Sequence, residues 1–164
     1  MKHQLTQILN LPGVIVKEQK IFNQTIILEV EKRSKTARCP LCNSVSRRLH
    51  QNHFSLIKDL PWGEKEVFLR INRRQFKCNN CRKPFSELLD FVGKRQKYTK
   101  RYAVTITEKV VKSDLRNVAI ENNLTEAQVE SMINYVAQLT LPINLKSLKR
   151  LGIDEISRGE AFAA

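Results

Sequence analysis

The spacing of apolar positions divides the chain into a strand-rich first part and a helical second part. Val67, Leu69 and Ile71 recur at a period of two, which predicts a half-buried strand. The residues Pro61-Trp62-Gly63 favour a turn, so that segment 53–78 is predicted to contain two strands joined there. Other apolar runs predict a short helix at 3–9 and the two strands of a hairpin at 14–16 and 25–30.

Segment 98–113 has the period of a helix instead. Tyr102, Ile106 and Val110 repeat every four residues and would form one apolar stripe. Two shorter helices are predicted after it, with Asn122-Asn123 as the tight turn between them, because asparagine tolerates the left-handed backbone such turns often need. Val118 and Ala119 belong to the first of these helices, and the buried stripe of the second is Val129, Met132, Ile133 and Val136.

The second short helix begins with a capping box, in which Thr125 is followed three residues later by Gln128. Two short helices joined by such a turn fit a helix-turn-helix unit, and an ordinary helical hairpin acting as a spacer is the alternative. Glu126 and Glu130 argue against DNA contact by this helix, because phosphates repel them. The outward residues predicted to contact nucleic acid are Thr125, Gln128, Ser131 and Asn134.

The charge of the chain is concentrated in its middle. Of the 164 residues 29 are basic and 16 acidic, a formal net charge of +13. Segment 31–101 alone holds nineteen basic and six acidic side chains, which also gives +13. A local block of this kind indicates a polyanionic partner, most often nucleic acid, whereas a merely solvated basic surface is the alternative.

Four cysteines form two Cys-x-x-Cys pairs, Cys39 with Cys42 and Cys78 with Cys81, separated by 35 residues. Two such pairs on tight turns supply the four thiolates of a closed structural zinc site. Disulfides would need an oxidising compartment, and nothing in the N-terminal sequence directs export. We therefore predict structural Zn²⁺ in a zinc ribbon, a set of short β-hairpins that one metal ion holds together.

Phosphate contacts are expected from the ribbon and from the basic run that follows it. Basic residues lie on both alternating faces of the last ribbon strand, so the sequence leaves open which face meets DNA. The predicted contacts are Arg70, Arg73, Arg74, Lys77, Lys94, Arg95, Lys97, Lys100 and Arg101.

The motifs together resemble a known family. The CPLC knuckle, the stretch DLPWG, the run RRQFKCNNC and the late segment LGIDEIS are similar to the start of transposases of the ISL-three insertion-sequence family. The resemblance extends from residue 11 to residue 157. It implies double-stranded DNA as partner, specifically the terminal inverted repeats of the element, and a cytoplasmic, nucleoid-associated bacterial protein. It also implies an oligomer with itself or with an intact transposase.

In that family, an RNase H-like domain follows and cuts DNA with three carboxylates and two Mg²⁺ ions. By this resemblance Asp154 corresponds to the first carboxylate, with Glu155 as the competing assignment. The later carboxylates lie far downstream in full-length relatives. We therefore expect a truncated transposase that is catalytically inactive alone, with Mg²⁺ relevant only in a full-length relative.

The predicted fold class is α+β: a small zinc-ribbon β module followed by a helical helix-turn-helix module and the first strand of an incomplete RNase H-like domain. The alternative functions are a stand-alone zinc-ribbon helix-turn-helix transcription regulator and a protein-interaction adaptor. The predicted divisions are an N-terminal helix and hairpin at 1–37, the zinc ribbon at 38–93, the helix-turn-helix at 94–140, and a linker with the start of the catalytic domain at 141–164.

Overall fold

The computed structural model describes residues 2–140, which are mixed α and β. The predicted strand at 151–156 and Asp154 lie outside the described residues. Helix α1 (Lys2–Leu9) precedes all the strands, and three helices follow them. The strands are β1 (Val14–Phe22), β2 (Thr25–Lys32), β3 (Ala37–Arg38), β4 (Val45–Ser46), β5 (Leu49–Gln51), β6 (Phe54–Trp62), β7 (Lys65–Asn72), β8 (Gln75–Lys77) and β9 (Pro84–Ser86); the later helices are α2 (Lys100–Lys112), α3 (Leu115–Glu121) and α4 (Glu126–Thr140).

A four-stranded sheet in the order β1-β2-β7-β6 forms the centre of the first part. The period of two is confirmed, since Val67, Leu69 and Ile71 are all fully buried against α1 and the segment after β9. Strand β6 continues through Pro61 and Trp62, so the turn falls at the next residues. Gly63 has a φ of +61°, a left-handed conformation that glycine adopts without strain.

The sheet crosses the predicted boundary between residues 37 and 38. Strand β2 pairs in parallel with β7, which places the hairpin β6–β7 in the same sheet as the N-terminal hairpin β1–β2. An isolated two-stranded hairpin is at best marginally stable in water, and pairing the two hairpins gives them one shared core. The division between 1–37 and 38–93 therefore differs from the sheet that the structure contains.

The zinc-ligating segments form a smaller unit beside this sheet, which we call the zinc module (residues 37–51 and 75–86). It consists of the two-stranded sheet β3–β4 and the three-stranded sheet β5-β8-β9. Phe76 and Phe85 stack inside it with their ring centroids 6.1 Å apart, and Cys39 and Cys78 complete its buried cluster.

Helices α2, α3 and α4 form a separate apolar cluster, the helical unit. Helix α2 begins at Lys100 because the side chain of Thr99 accepts a hydrogen bond from the Tyr102 N–H and caps it. The predicted turn is confirmed at Asn123, whose φ is +50°. The capping box is also confirmed: the Thr125 N–H donates to Gln128 Oε1 at 2.9 Å, and the Gln128 N–H donates to Thr125 Oγ1 at 3.2 Å.

A buried carboxylate attaches the helical unit to the sheet. Asp59 on β6 accepts hydrogen bonds from Thr99 Oγ1 at 2.7 Å and from Arg101 Nε at 2.8 Å. Arg101 also donates to the Leu9 carbonyl at 2.9 Å, so one guanidinium joins α1, β6 and α2. Lys58 on β6 donates to the Asn122 carbonyl at 2.9 Å and thereby holds the turn between α3 and α4.

Candidate metal centre and nucleic-acid interface

The two Cys-x-x-Cys turns have the same local structure. The Cys39 N–H donates to the Ser44 carbonyl at 2.9 Å, and the Cys78 N–H donates to the Lys83 carbonyl at 3.0 Å, five residues ahead in each case. The residue after the second cysteine is left-handed in both turns: Asn43 has a φ of +58° and Arg82 a φ of +57°. Both turns therefore direct their sulfur atoms towards one point between them.

The sulfur geometry fits a tetrahedral zinc ion. Cys39 Sγ lies 3.6 Å from Cys81 Sγ, and Cys42 Sγ lies 3.4 Å from Cys78 Sγ. All four sulfur atoms lie within 4.8 Å of one another. Tetrahedral Zn–S bonds of about 2.3 Å place sulfur atoms about 3.8 Å apart, close to these values. The centre is a structural Zn²⁺ site with four thiolate ligands, which leaves no coordination position for water or substrate.

The thiols of the cluster differ in acidity. Hydrogen bonds with Ser44, together with those to neighbouring thiols, lower the pKa of Cys42 to about 6. The Lys83 N–H lowers the pKa of Cys81, but burial and hydrogen bonds with the other thiols outweigh it and raise the pKa to about 11. Zinc must displace the remaining protons because only thiolates bind it. Metal affinity therefore falls as the pH is lowered.

The basic residues at the end of β7 have different environments. Arg70 is exposed, pairs with Glu29 at 2.5 Å and has its guanidinium 4.4 Å from the centre of the Phe54 ring. Arg73 lines a cleft beside the zinc module, and its buried Nε has no hydrogen-bond partner among residues 2–140. Lys77 is half-buried on β8. The structure thus brings Arg73, but not Arg70, to the cleft.

Arg74 is buried and paired inside the fold. Its Nε and Nη2 donate to the Glu87 carboxylate at 2.9 and 2.7 Å, and Nη2 also donates to the Ser34 carbonyl at 2.6 Å. The hydrogen bonds with Glu87 raise the pKa of the guanidinium further, so it stays charged. No sequence pattern predicts the role of Glu87, because a single glutamate gives no sign that it will be buried. The pair closes the base of the β8–β9 hairpin.

The basic run after the zinc module separates into two groups. Lys94, Arg95 and Lys97 are exposed on a turn before α2. Lys100 is half-buried in the first turn of α2, and Arg101 is held by Asp59 and Leu9. Among the predicted contacts in this run, Arg101 is the one whose side chain is held by internal pairing in the described residues.

The predicted contact side chains of α4 are all exposed. Thr125 and Gln128 bond to each other in the capping box. The Ser131 carbonyl accepts a hydrogen bond from the Tyr98 hydroxyl at 3.3 Å. Asn134 borders an open cleft one turn further along the helix. Gln96, which no sequence pattern indicates as a contact residue, lines the same cleft as Asn134.

Comparisons with known proteins agree with the cysteine geometry. Residues 35–81 match the family described as the zinc-finger of transposase IS204/IS1001/IS1096/IS1165. The chain is also 28% identical over 96 residues to the transposase for insertion sequence element IS1001 from Bordetella parapertussis. That alignment covers 58% of this chain and 24% of the relative, so the chain spans about a quarter of the relative's length. No solved structure matches. Within residues 2–140, no helix has the length and apolar character needed to cross a membrane.

Proposed function

We propose that this chain, which carries the zinc ribbon of ISL-three-type transposases, is the DNA-binding N-terminal portion of such a transposase and recognises the terminal inverted repeats of its element. The observation that carries the proposal is the position of the family match. It covers residues 35–81, inside the segment 31–101 that holds the basic excess of the chain. A zinc ribbon rich in arginine and lysine has the charge that duplex DNA attracts.

The helical unit supports the same reading. We assign α3 and α4 as the helix-turn-helix, with α4 as the helix that enters the major groove. Its buried stripe faces α2 and α3, which leaves an exposed polar face. The base contacts we propose from this face are Thr125, Gln128, Ser131 and Asn134.

Phosphate contacts are proposed from the basic residues that the fold leaves available. Arg74 and Arg101 are excluded from this set because buried carboxylates bind both guanidinium groups. They stabilise the arrangement of the units instead. Arg70 and Lys100 remain proposed contacts at the edge of the surface. The central contacts are Arg73, Lys77, Lys94, Arg95 and Lys97.

The catalytic assignment rests on the resemblance alone. Asp154, as the first carboxylate of an RNase H-like domain that binds Mg²⁺, is a proposal for the full-length protein. We propose that the chain binds repeat ends without joining strands. A strand-transfer assay with the isolated chain tests this directly: joined product in the presence of Mg²⁺ would contradict it.

Binding to matched duplexes tests the recognition proposal. The zinc-loaded chain is titrated with a fluorescent duplex carrying the inverted repeat beside its gene and with a scrambled duplex of the same composition, across a salt series. We expect tighter binding to the repeat, and affinity for both duplexes that falls steeply with salt. Equal affinity for the two duplexes would remove the recognition claim. A footprint restricted to an unrelated promoter would favour a transcription regulator.

A further inference from the structure

The turn formed by residues 93–97 is fixed against α4. A Cβ atom on Gly93 would lie 2.7 Å from Cε2 of Tyr135 and 2.8 Å from Cγ of Gln96, so only glycine allows the chain to approach the helix this closely. The Tyr98 hydroxyl donates to the Ser131 carbonyl at 3.3 Å, and the Tyr98 and Tyr135 rings meet edge to face at 6.0 Å. The turn and α4 therefore present one continuous surface.

Gln96 lies between two clefts that both border the exposed face of α4. The first, of about 320 Å³, is lined by Gln96 together with Gln128 and Ser131. The second, of about 360 Å³, is lined by Gln96 together with Ser131 and Asn134. Its side-chain amide carries both a donor and an acceptor, the pair that reads adenine in a major groove. Gln96 is thus placed beside the residues proposed to read bases from α4.

Arg95 connects this surface to the zinc module. It lines the first cleft and also a third cleft, of about 480 Å³, whose lining includes Arg73, Lys94 and Pro40 of the first cysteine turn. Glu87 also lines the third cleft, but its carboxylate is bound by Arg74. The buried Nε of Arg73 has no hydrogen-bond partner among residues 2–140. The three cations that line this cleft, Arg73, Lys94 and Arg95, together have the charge that suits a phosphate group.

Arg95 itself has a φ of +65°, which non-glycine residues rarely adopt. The turn also places three basic side chains next to a helix whose exposed Glu126 and Glu130 would repel a phosphate backbone.

We infer that turn 93–97 is a second DNA-reading element: Gln96 contacts a base edge beside α4, while Arg95 and Arg73 hold a backbone phosphate in the cleft next to the zinc module. The inference rests on the proposed function and adds to it a base-reading residue and a position for the DNA backbone. The surface that faces DNA is then the one formed by turn 93–97 and the three clefts that border it.

Two substitutions separate the two roles. Gln96→Ala removes the amide, and Arg95→Asn removes the charge while keeping a residue that tolerates the left-handed backbone. The matched controls are Gln19→Ala and Lys20→Asn, exposed on β1 at the sheet edge away from the helical unit. Each variant is titrated with the repeat duplex and the scrambled duplex across the same salt series. Zinc content and the circular-dichroism signal of the helices are measured to establish that each variant is folded.

The roles predict different results. We expect Gln96→Ala to reduce the preference for the repeat by about tenfold and to leave the salt dependence unchanged. We expect Arg95→Asn to weaken binding to both duplexes equally and to lower the slope of log K against log salt by about 0.9, the loss of one phosphate contact. Both controls should bind like the unsubstituted chain.

The failures are distinguishable. An unsubstituted chain with no preference for the repeat would overturn the proposed function and this inference with it. A chain that prefers the repeat, with Gln96→Ala indistinguishable from Gln19→Ala, would overturn the base contact alone. An unchanged salt slope in Arg95→Asn would overturn the phosphate site.

Discussion

The zinc module and the helical unit both border the surface that we propose binds DNA, but different forces stabilise them. The helical unit buries an apolar cluster that includes Tyr102, Ile106 and Met132 and needs no metal to do so. The zinc module buries only Phe76 and Phe85 besides its cysteines. A core this small cannot offset the conformational entropy of its own loops, so metal coordination must supply the difference.

Both units are attached to the central sheet. The sheet has its own apolar core; the Arg74–Glu87 pair lies where the chain passes from β7 of the sheet into the zinc module, and Asp59 of β6 binds the helical unit. Each unit can therefore hold a fixed surface despite its small size. Loss of the metal should affect one unit and leave the other folded.

The largest effect is expected from zinc removal. Structural zinc contributes roughly 10–16 kcal/mol to folding in isolated zinc-finger peptides, more than a single buried apolar side chain contributes. We expect chelation, or Cys39→Ser, to abolish amide-exchange protection in β8 and β9 while α2 and α4 keep theirs. Hydrogen exchange followed by mass spectrometry measures this. Equal loss of protection in both units would mean that they fold as one body, and would contradict the view that the metal stabilises only the zinc module.

Glu87→Ala should be the next most damaging change. It leaves the buried guanidinium of Arg74 without its carboxylate, which typically costs about 3–5 kcal/mol. The matched control is Glu29→Ala, which removes the half-buried partner of the exposed Arg70 and should cost about 0–1 kcal/mol. Urea unfolding of both variants measures the difference. Similar costs for the two would contradict the structural role of Arg74.

Ile106→Ala tests the apolar side of the comparison. The side chain is 1% exposed in the core of the helical unit, and its truncation should lower the free energy of unfolding by about 2–5 kcal/mol. Zinc content should be unchanged, because no cysteine contacts this core. Zinc analysis alongside thermal unfolding checks both points. If the Ile106→Ala chain released zinc at a temperature where its sheet is still folded, the helical unit and the zinc module would be coupled, and the expectation would be contradicted.

Thr125→Ala should give the smallest effect. It removes the hydroxyl that caps α4, at a cost of about 1 kcal/mol, and leaves the zinc module untouched. Thr125→Ser, which keeps the hydroxyl, is the control. The readout is the unfolding midpoint in urea, and an unchanged midpoint for Thr125→Ala would mean that α4 is stabilised by packing alone.

Local features of this fold were predictable from the sequence, and distant pairings were not. The cysteine spacing predicted the metal centre, the alternation in β7 predicted a buried strand, and the Thr125–Gln128 spacing predicted the start of α4. Each of these signals lies within a few residues, or depends on one well-defined ligand chemistry.

The partners of charged residues show the limit. The sequence marks Arg74 and Arg101 as basic residues within basic runs, which is equally consistent with DNA contacts and with internal pairs. Their acceptors, Glu87 and Asp59, are brought to them by tertiary folding. The parallel pairing of β2 with β7 was hidden for the same reason, because it joins segments some forty residues apart with no local signature.

The most direct test of the account measures repeat binding by the chain with and without zinc, across one salt series. We propose that both units contact the same DNA: the zinc module, with the adjoining basic residues Arg73, Lys94 and Arg95, through phosphates, and the helical unit through bases. Zinc removal should then weaken binding and reduce the salt slope, while a residual preference for the repeat over the scrambled duplex remains. Affinity and salt slope that do not change on zinc removal would contradict the claim.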